Sequence, residues 1–366
     1  MKFVTLFPEM ENVHLIKSCG MIPYVLHKYH GYDSKIVGYN NHGNYDYINT
    51  EVKGLKIEFL KKKFDNLTLD SFLYLIKNSK NIDVLHLYHM TPRSFYCALV
   101  YKIFNRKGVV YLKTDNSTKT VFDKSWLKKR MKIKAIKIFD IISSESYDIC
   151  QYFNDNFPVH FEYIPNGFYD NGNKKNIEEK ENIILTVARI GDIEKANDVM
   201  LNGFAEASKV LKDWKLRMVG NINKEFNDFI SEYFKKYPEL KNRVEFVGPI
   251  HDREILDREY QMAKIFTLTS ISEGFPTVFL EAIKSGCYIV TSDFGVADEI
   301  TQHGTLGSIF STGDTNEYAK ALIEICLDSD RLKDMGPKIQ DYAYSRYYWP
   351  TTAARLNELI QLAKES

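Results

Sequence analysis

Glu273 and Glu281 stand eight positions apart in S-I-S-E-G-F-P-T-V-F-L-E-A-I-K-S-G-C-Y-I-V-T-S, on either side of a turn made by Gly274, Phe275 and Pro276. Two carboxylates beside a turn that opens a helix can serve a ligand carrying both hydroxyls and phosphate. The free N–H groups at the helix start, near Thr277 and Val278, are ready to accept an anion such as a diphosphate. Glu281, about one turn inside the helix, can accept hydrogen bonds from the two vicinal hydroxyls of a ribose, and Glu273 on the loop is free to take hydroxyls of a sugar beyond the phosphate. Taken alone, each glutamate reads equally as a solvated surface residue. Upstream, I-I-L-T-V-A-R-I-G-D-I-E-K-A-N-D-V-M-L places Arg189 just past an apolar run and Lys195 six positions later. A guanidinium fork and an ammonium point charge are what a buried diphosphate needs. Together the four side chains define one expected pocket.

Strand ends must position these groups. An apolar strand from Ile265 to Leu268 runs toward Glu273, a helical pattern from Val278 to Ile283 stops at Ser285-Gly286, and a further strand spans Tyr288 to Thr291. Another strand, Ile183 to Ala188, leads to Arg189. The motif thus sits at the carboxyl end of a parallel-type strand, where open α/β sheets bind ligands. In the first half, a strand from Phe3 to Phe7 is followed by a helix from His14 to His27, which Gly20 and Pro23 should interrupt. Strands at Lys35 to Val37, Val84 to Leu87 and Val109 to Lys113 alternate with helical stretches such as Ser71 to Ile76 and Ser94 to Phe104. This alternation predicts a doubly wound α/β sheet. After Ile164-Pro165-Asn166-Gly167, the polar run N-G-N-K-K-N-I-E-E-K-E-N reads as a surface linker or hairpin, and a second βα series runs from Ile183 to about Leu327. A last helix, Thr351 to Ala363, follows Trp349-Pro350.

At 366 residues the chain suggests about two domains, each large enough for its own core. The net charge of +1 hides an asymmetry: residues 1–165 hold 24 Lys/Arg against 16 Asp/Glu, leaving 25 against 32 in the rest. A basic first half suits anionic lipid headgroups or a phosphate-bearing acceptor, or an electrostatic match to the other domain. The five cysteines show no C-x-x-C or zinc spacing, and an odd number argues against a disulfide framework. The apolar run before Pro8 and Glu9 is too short for a signal peptide, and no segment approaches eighteen apolar residues, so a cytoplasmic location is expected.

The second half resembles the nucleotide-sugar domain of retaining glycosyltransferases of the GT-B fold, glycosyltransferase family 4. The matching features are V-A-R-I then Lys195, V-E-F-V-G-P-I at Val244 to Ile250, E-G-F-P-x-x-x-x-E, and S-D-F-G-V-A-D-E-I at Ser292 to Ile300. The likeness is specific over roughly Tyr163 to Asp330 and looser before it. It implies two Rossmann-like domains facing across a cleft: residues 1–167 for the acceptor, 168–345 for the nucleotide sugar, and 346–366 as a helix returning to the first. It also implies that Arg189 and Lys195 bind the donor diphosphate, Glu281 the ribose and Glu273 the donor sugar. Gly248, Ile250, Gly274, Phe275, Pro276 and Thr277 complete the donor set.

From the first half, His86 and His89 in L-H-L-Y-H-M-T-P and Asp115 in Y-L-K-T-D-N-S lie at strand ends facing the expected cleft. Relatives often carry a His where Asp115 stands; an Asp there can accept a sugar hydroxyl or stabilise positive charge at the anomeric carbon. His86 reads as a packed histidine, whereas His89, just before the Thr91-Pro92 turn, is a candidate acceptor contact. Lys17 and Gly20 are further acceptor candidates, although the early loop lacks the paired glycines many relatives show. Residues 124–139, K-S-W-L-K-K-R-M-K-I-K-A-I-K-I-F, interleave basic and apolar positions and read either as an amphipathic contact with an anionic membrane or as an ordinary surface helix. Nucleic acid is not expected as a partner.

The resemblance implies a metal-independent, cofactor-free transferase that moves a sugar from a nucleoside diphosphate, UDP by default, to a sugar or lipid-linked saccharide acceptor in bacterial surface polysaccharide. A nucleotide-sugar epimerase of the same fold and an inactive binding subunit are the alternatives.

Overall fold

Stretches such as V-L-H-L-Y and Y-I-V-T-S are mostly apolar without strict alternation, as a parallel sheet covered by helices on both faces demands. Both are strands buried along their whole length. The computed structural model describes residues 1–41, 43–114, 136–156, 158–177 and 179–365. It divides into two units, Met1–Tyr169 with Tyr347–Ser366, and Asp170–Arg346.

Unit 1 is a parallel sheet of β1 (Lys2–Leu6), β2 (Asp33–Gly38), β3 (Lys56–Phe59), β4 (Val84–Tyr88), β5 (Val109–Thr114), β6 (Ile141–Ser144) and β7 (Glu162–Tyr163), in the order β3-β2-β1-β4-β5-β6-β7. Successive residues of a strand point to opposite faces. Phe3, Ile36, Val84, Val109 and Tyr111 therefore feed one core, under the helices Ser18–His30 and Trp349–Glu365. Val4, Val37, Leu85, Val110 and Leu112 feed the other, under Leu67–Asn78, Pro92–Phe104 and Tyr147–Asn156. The helix from Trp349 contributes Trp349, Ala353, Leu356 and Ile360 to the first of these cores.

Unit 2 repeats the plan with β8 (Glu181–Val187), β9 (Lys215–Val219), β10 (Val244–Gly248), β11 (Ala263–Leu268), β12 (Tyr288–Ser292) and β13 (Gly307–Phe310), in the order β10-β9-β8-β11-β12-β13. The doubly wound α/β architecture expected from the βα alternation is present in each unit. All five cysteines are buried.

One local expectation needs correction. The helix Ser18–His30 runs through Gly20 and Pro23 without a break, preceded by a 3-10 turn at Asn12–Ile16. Gly20 is there for space: a Cβ would lie 2.2 Å from the Leu15 carbonyl oxygen, so only glycine lets the turn fold over the helix start. Pro23, past the first turn, forfeits its own ladder bond, and the helix runs on through it. Of the two readings of the polar run after Gly167, surface linker or hairpin, its described residues before β8 follow the first: they are irregular and tied down by Lys174 to Asp341 at 2.7 Å and Lys175 to Asp257 at 2.6 Å.

Candidate functional site

In unit 2 the strand order reverses between β8 and β11, so the loops leaving their carboxyl ends splay apart and open a crevice. Arg189 to Lys195 follow β8, and Ser270 to Pro276 follow β11. The loops are stitched together at their bases. The Thr269 hydroxyl donates to the carbonyls of Lys195 and Ala196, each at 2.9 Å, and the Ile271 N–H donates to the Glu194 carbonyl at 2.8 Å. On this base the Lys195 ammonium meets the Glu273 carboxylate, both side chains largely withdrawn from solvent. The Ser270 hydroxyl donates to the same Glu273 oxygen at 2.7 Å, and Ser270 is itself anchored, its carbonyl accepting from Ser292 Oγ at 2.6 Å.

The turn after Glu273 buries Phe275 and leaves Gly274 facing open space. Pro276 then starts the helix Thr277–Lys284 and supplies no side-chain cap. The N–H groups of Thr277 and Val278 precede any intrahelical acceptor, so the helix presents them, with its positive dipole end, at the mouth of the crevice.

The four expected donor contacts do not form one constellation in this structure. Arg189 is exposed and bonded through Nε to Asp192 at 2.9 Å, an i,i+3 pair formed within its own loop. Glu281, one turn into the helix, has partners of its own: Lys284 Nζ at 2.7 Å and Arg253 at 3.5 Å. Only Lys195 and Glu273 are joined directly. Gly248 ends β10 at a register shift with φ +83 and open space beside it, and its carbonyl accepts from the Gly220 N–H at 3.0 Å; Ile250 is half-buried two positions on.

Sequence reasoning missed three contributors. Asn197 is buried and accepts the Gly191 N–H on Oδ1 at 2.7 Å, while its Nδ2 has no partner among the described residues. Gly220, at the end of β9 with φ +143, places its Cα so close to the Ala188 carbonyl that a Cβ would stand 1.8 Å from the oxygen, which brings the ends of β8 and β9 together. Ser270 was legible as the serine three positions before Glu273.

In unit 1 the corresponding reversal lies between β1 and β4. There Phe7 meets the rings of His14 at 5.1 Å, Tyr88 at 5.7 Å and His89 at 6.3 Å. His14 Nδ1 accepts from the Glu11 N–H at 3.0 Å, and burial together with the nearby Lys17 holds the imidazole below its ordinary pKa. Arg93 pairs with Glu9 at 2.5 Å. His89 sits half-buried just beyond β4 in the left-handed region at φ +60. Lys17 is exposed where the helix Ser18–His30 begins, but Gly20 is buried beneath Leu15 and lines no open space. His86 does not face a rim: it is fully buried, stacked on Tyr111 at 4.6 Å and bonded to Thr5 Oγ1 at 3.0 Å, and burial holds it neutral. Asp115 and residues 124–135 of the basic stretch lie outside the described residues. The end of that stretch is core, with Ile136 buried and Ile138 packed against it.

Residues 170–342 match the family described as Glycosyl transferases group 1. The chain is 21% identical over 294 residues to N-acetyl-alpha-D-glucosaminyl L-malate synthase of Bacillus anthracis, covering 77% of this chain and 75% of that one. It is 24% identical over 269 residues to the capsular polysaccharide biosynthesis glycosyltransferase CapH of Staphylococcus aureus, covering 69% and 71%. Further relatives match over 33% or 26% of their own length. Among solved structures, Anabaena HepE in complex with UDP superposes with a TM-score of 0.74 at 15% identity, covering 99% of this chain and all of that one.

Proposed function

We propose that this chain, a transferase with the GT-B fold whose residues 170–342 match the group 1 glycosyltransferases, transfers a sugar, with retention at the anomeric carbon, from a nucleoside diphosphate to a hydroxyl of a saccharide acceptor. The setting proposed is assembly of a bacterial surface polysaccharide such as capsule, O-antigen or exopolysaccharide, in line with the CapH relative. UDP is the favoured carrier, since the HepE neighbour was solved with UDP.

One observation carries this reading: the joined pair Lys195 and Glu273 comes from the two loops that flank the strand-order reversal of unit 2, beside an uncapped helix start. When the bond between the anomeric carbon and the diphosphate oxygen breaks, negative charge collects on the departing phosphate. Lys195 and the N–H groups of Thr277 and Val278 meet it, and Arg189, exposed and paired with Asp192 in its own loop, swings in as a second cation. These groups take the place a metal fills in other transferases. The acceptor hydroxyl attacks on the face the diphosphate leaves and passes its proton to the departing phosphate oxygen, so no carboxylate forms a covalent intermediate. Glu273 holds donor-sugar hydroxyls and Glu281 the ribose diol. Asp115 belongs near the anomeric carbon and His89 and Lys17 near the acceptor. Contact of the basic residues 124–139 with an anionic membrane is part of the proposal, and co-sedimentation with anionic liposomes at low salt decides it.

The two glutamates give the test. Glu281→Ala should weaken the free nucleotide and the full donor alike, whereas Glu273→Ala should spare the free nucleotide and lower turnover with the full donor. The opposite pattern, with nucleotide affinity lost at Glu273 and kept at Glu281, overturns the reading.

A further inference from the structure

Glu281 belongs to a row of alternating charges, Arg253, Glu281, Lys284, Asp257 and Lys175. Its Oε2 accepts from Lys284 Nζ at 2.7 Å, and Arg253 stands 3.5 Å from its Oε1. Lys284 is mostly buried and makes a second ion pair, to Asp257 Oδ1 at 2.9 Å. Asp257 is held in turn on Oδ2 by Lys175 and by Gln261, each at 2.6 Å. The backbone on either side is pinned as well: Gln340 Nε2 donates to the carbonyls of Lys284 at 3.0 Å and Lys175 at 2.9 Å. Three separate stretches of unit 2 thus converge on the end of the helix Thr277–Lys284.

A buried ion pair is weak support for stability, because desolvation of both partners offsets most of their attraction. Its better-attested use is to fix a geometry. Burial alone would lower the Lys284 pKa, but Glu281 and Asp257 outweigh it and the net shift is upward, so the cation is present at any physiological pH. Each carboxylate oxygen of Glu281 has two lone pairs. Lys284 occupies one of those on Oε2, and Arg253 at 3.5 Å is an electrostatic neighbour more than a hydrogen bond. Lone pairs remain on both oxygens for a pair of vicinal hydroxyls.

We propose that Lys284, steadied from behind by Asp257, is a positioning residue that holds the Glu281 carboxylate in the orientation a ribose diol requires. The proposal rests on Glu281 being the ribose contact. Lys284 touches no substrate; it removes the rotamer freedom that a lone glutamate would otherwise surrender on binding.

Calorimetric titration of the full chain with UDP and with 2′,3′-dideoxy-UDP isolates the diol. The unmodified protein should prefer UDP by on the order of tenfold or more, since a hydrogen bond to a charged group is commonly worth a tenfold change. Glu281→Ala should erase that preference. Lys284→Met should cut it by at least about threefold, a modest fraction of one such bond, with 2′,3′-dideoxy-UDP affinity unchanged; Lys284→Arg should restore most of it, and Asp257→Asn should fall between. If Glu281→Ala erases the preference and Lys284→Met keeps it, the positioning role is overturned and the ribose contact stands. If Glu281→Ala itself keeps it, the ribose assignment falls and the positioning role with it. Equal losses of both ligands in Lys284→Met mean a structural role only and also overturn the proposal. Should Lys284→Met fail to fold, Lys284→Arg and Asp257→Asn carry the same comparison: a preference unchanged in Asp257→Asn overturns the steadying role.

Discussion

Both sheets reverse strand order beside their first strand, yet the two reversals are furnished with different chemistry. In unit 2 the loops after β8 and β11 supply fixed charge, Lys195 against Glu273, and an uncapped helix start. In unit 1 the loops after β1 and β4 supply rings, with Phe7 set among His14, Tyr88 and His89, and the pair Arg93 and Glu9 nearby. The contrast continues inside. The buried polar side chains of the unit 2 sheet are hydroxyls, Thr186, Thr267, Thr291 and Ser292, whereas the unit 1 sheet buries His86 and Lys113 in addition to its hydroxyls Thr5, Ser34, Thr114, Ser143 and Ser144. Equal topology therefore does not mean equal ligands: a phosphate needs dipoles and cations that stay charged at every pH of interest, while a sugar is held by ring faces and neutral hydrogen-bonding groups.

The largest effect that can break this comparison is on nucleotide binding. Lys195→Ala should weaken UDP by about 2–5 kcal/mol, because it leaves both a phosphate and Glu273 without their cation. His89→Ala, at the matching reversal of unit 1, should leave UDP affinity unchanged in calorimetry. Comparable losses at the two positions would abolish the division of labour.

A smaller effect separates the interiors by pH. His86 is held neutral, its pKa well below the ordinary 6.5, by burial first and Lys113 second. The unfolded chain thus binds a proton that the folded chain refuses. Stability from this site is complete above pH 6.5 and is lost as pH falls below it, by at most about 1.4 kcal/mol per pH unit. Unit 2 buries no histidine among the described residues; His251 and His303 are exposed. Hydrogen exchange between pH 7 and 5 should show β4 losing protection before β11. His86→Phe should flatten the decline at a cost of about 1 kcal/mol at neutral pH, since Thr5 loses its partner. Equal declines in the two sheets would count against the contrast.

The smallest effect sharpens the loop geometry. Ala196, between Lys195 and Asn197, sits in the left-handed region at φ +44. Ala196→Gly removes a strain of roughly 1–2 kcal/mol and returns part of it as unfolded-state entropy. A net gain near 1 kcal/mol in urea unfolding, with nucleotide affinity preserved, is expected. A loss of affinity would mean that the alanine methyl helps to set the Lys195 side chain.

How much of this was legible in the sequence follows from how local each feature is. The βα alternation, hence the fold, was readable because each strand and helix declares itself over a few residues. The turn at Gly274 to Pro276 and the helix from Thr277 were readable for the same reason, Pro276 opening the helix and Gly286, at φ +69, following its end. What the sequence could not show is where a long side chain finds its partner. Arg189 has Asp192 three positions on, and the nearer carboxylate wins in this structure. Lys284 looks like a surface lysine at i+3 from Glu281 until Asp257, from another helix, joins it and the helices close over the group. Gly20 and Pro23 misled because breaker residues act through the space around them, and here a neighbouring turn fills it.

Unit 1 is not continuous along the chain, and this shapes the order in which the protein can be made. The helix Trp349–Glu365 supplies Trp349, Leu356 and Ile360 to a core whose other members lie before Ile164 or at it. Unit 2 is spelled out between them without interruption. During synthesis, at about 5–20 residues per second, every residue of unit 2 is translated before the last helix of unit 1. The amino-terminal half therefore waits roughly 10–40 seconds at that rate with one apolar face uncovered. Vectorial synthesis, which ordinarily lets the first domain mature first, here makes the first domain the last to close.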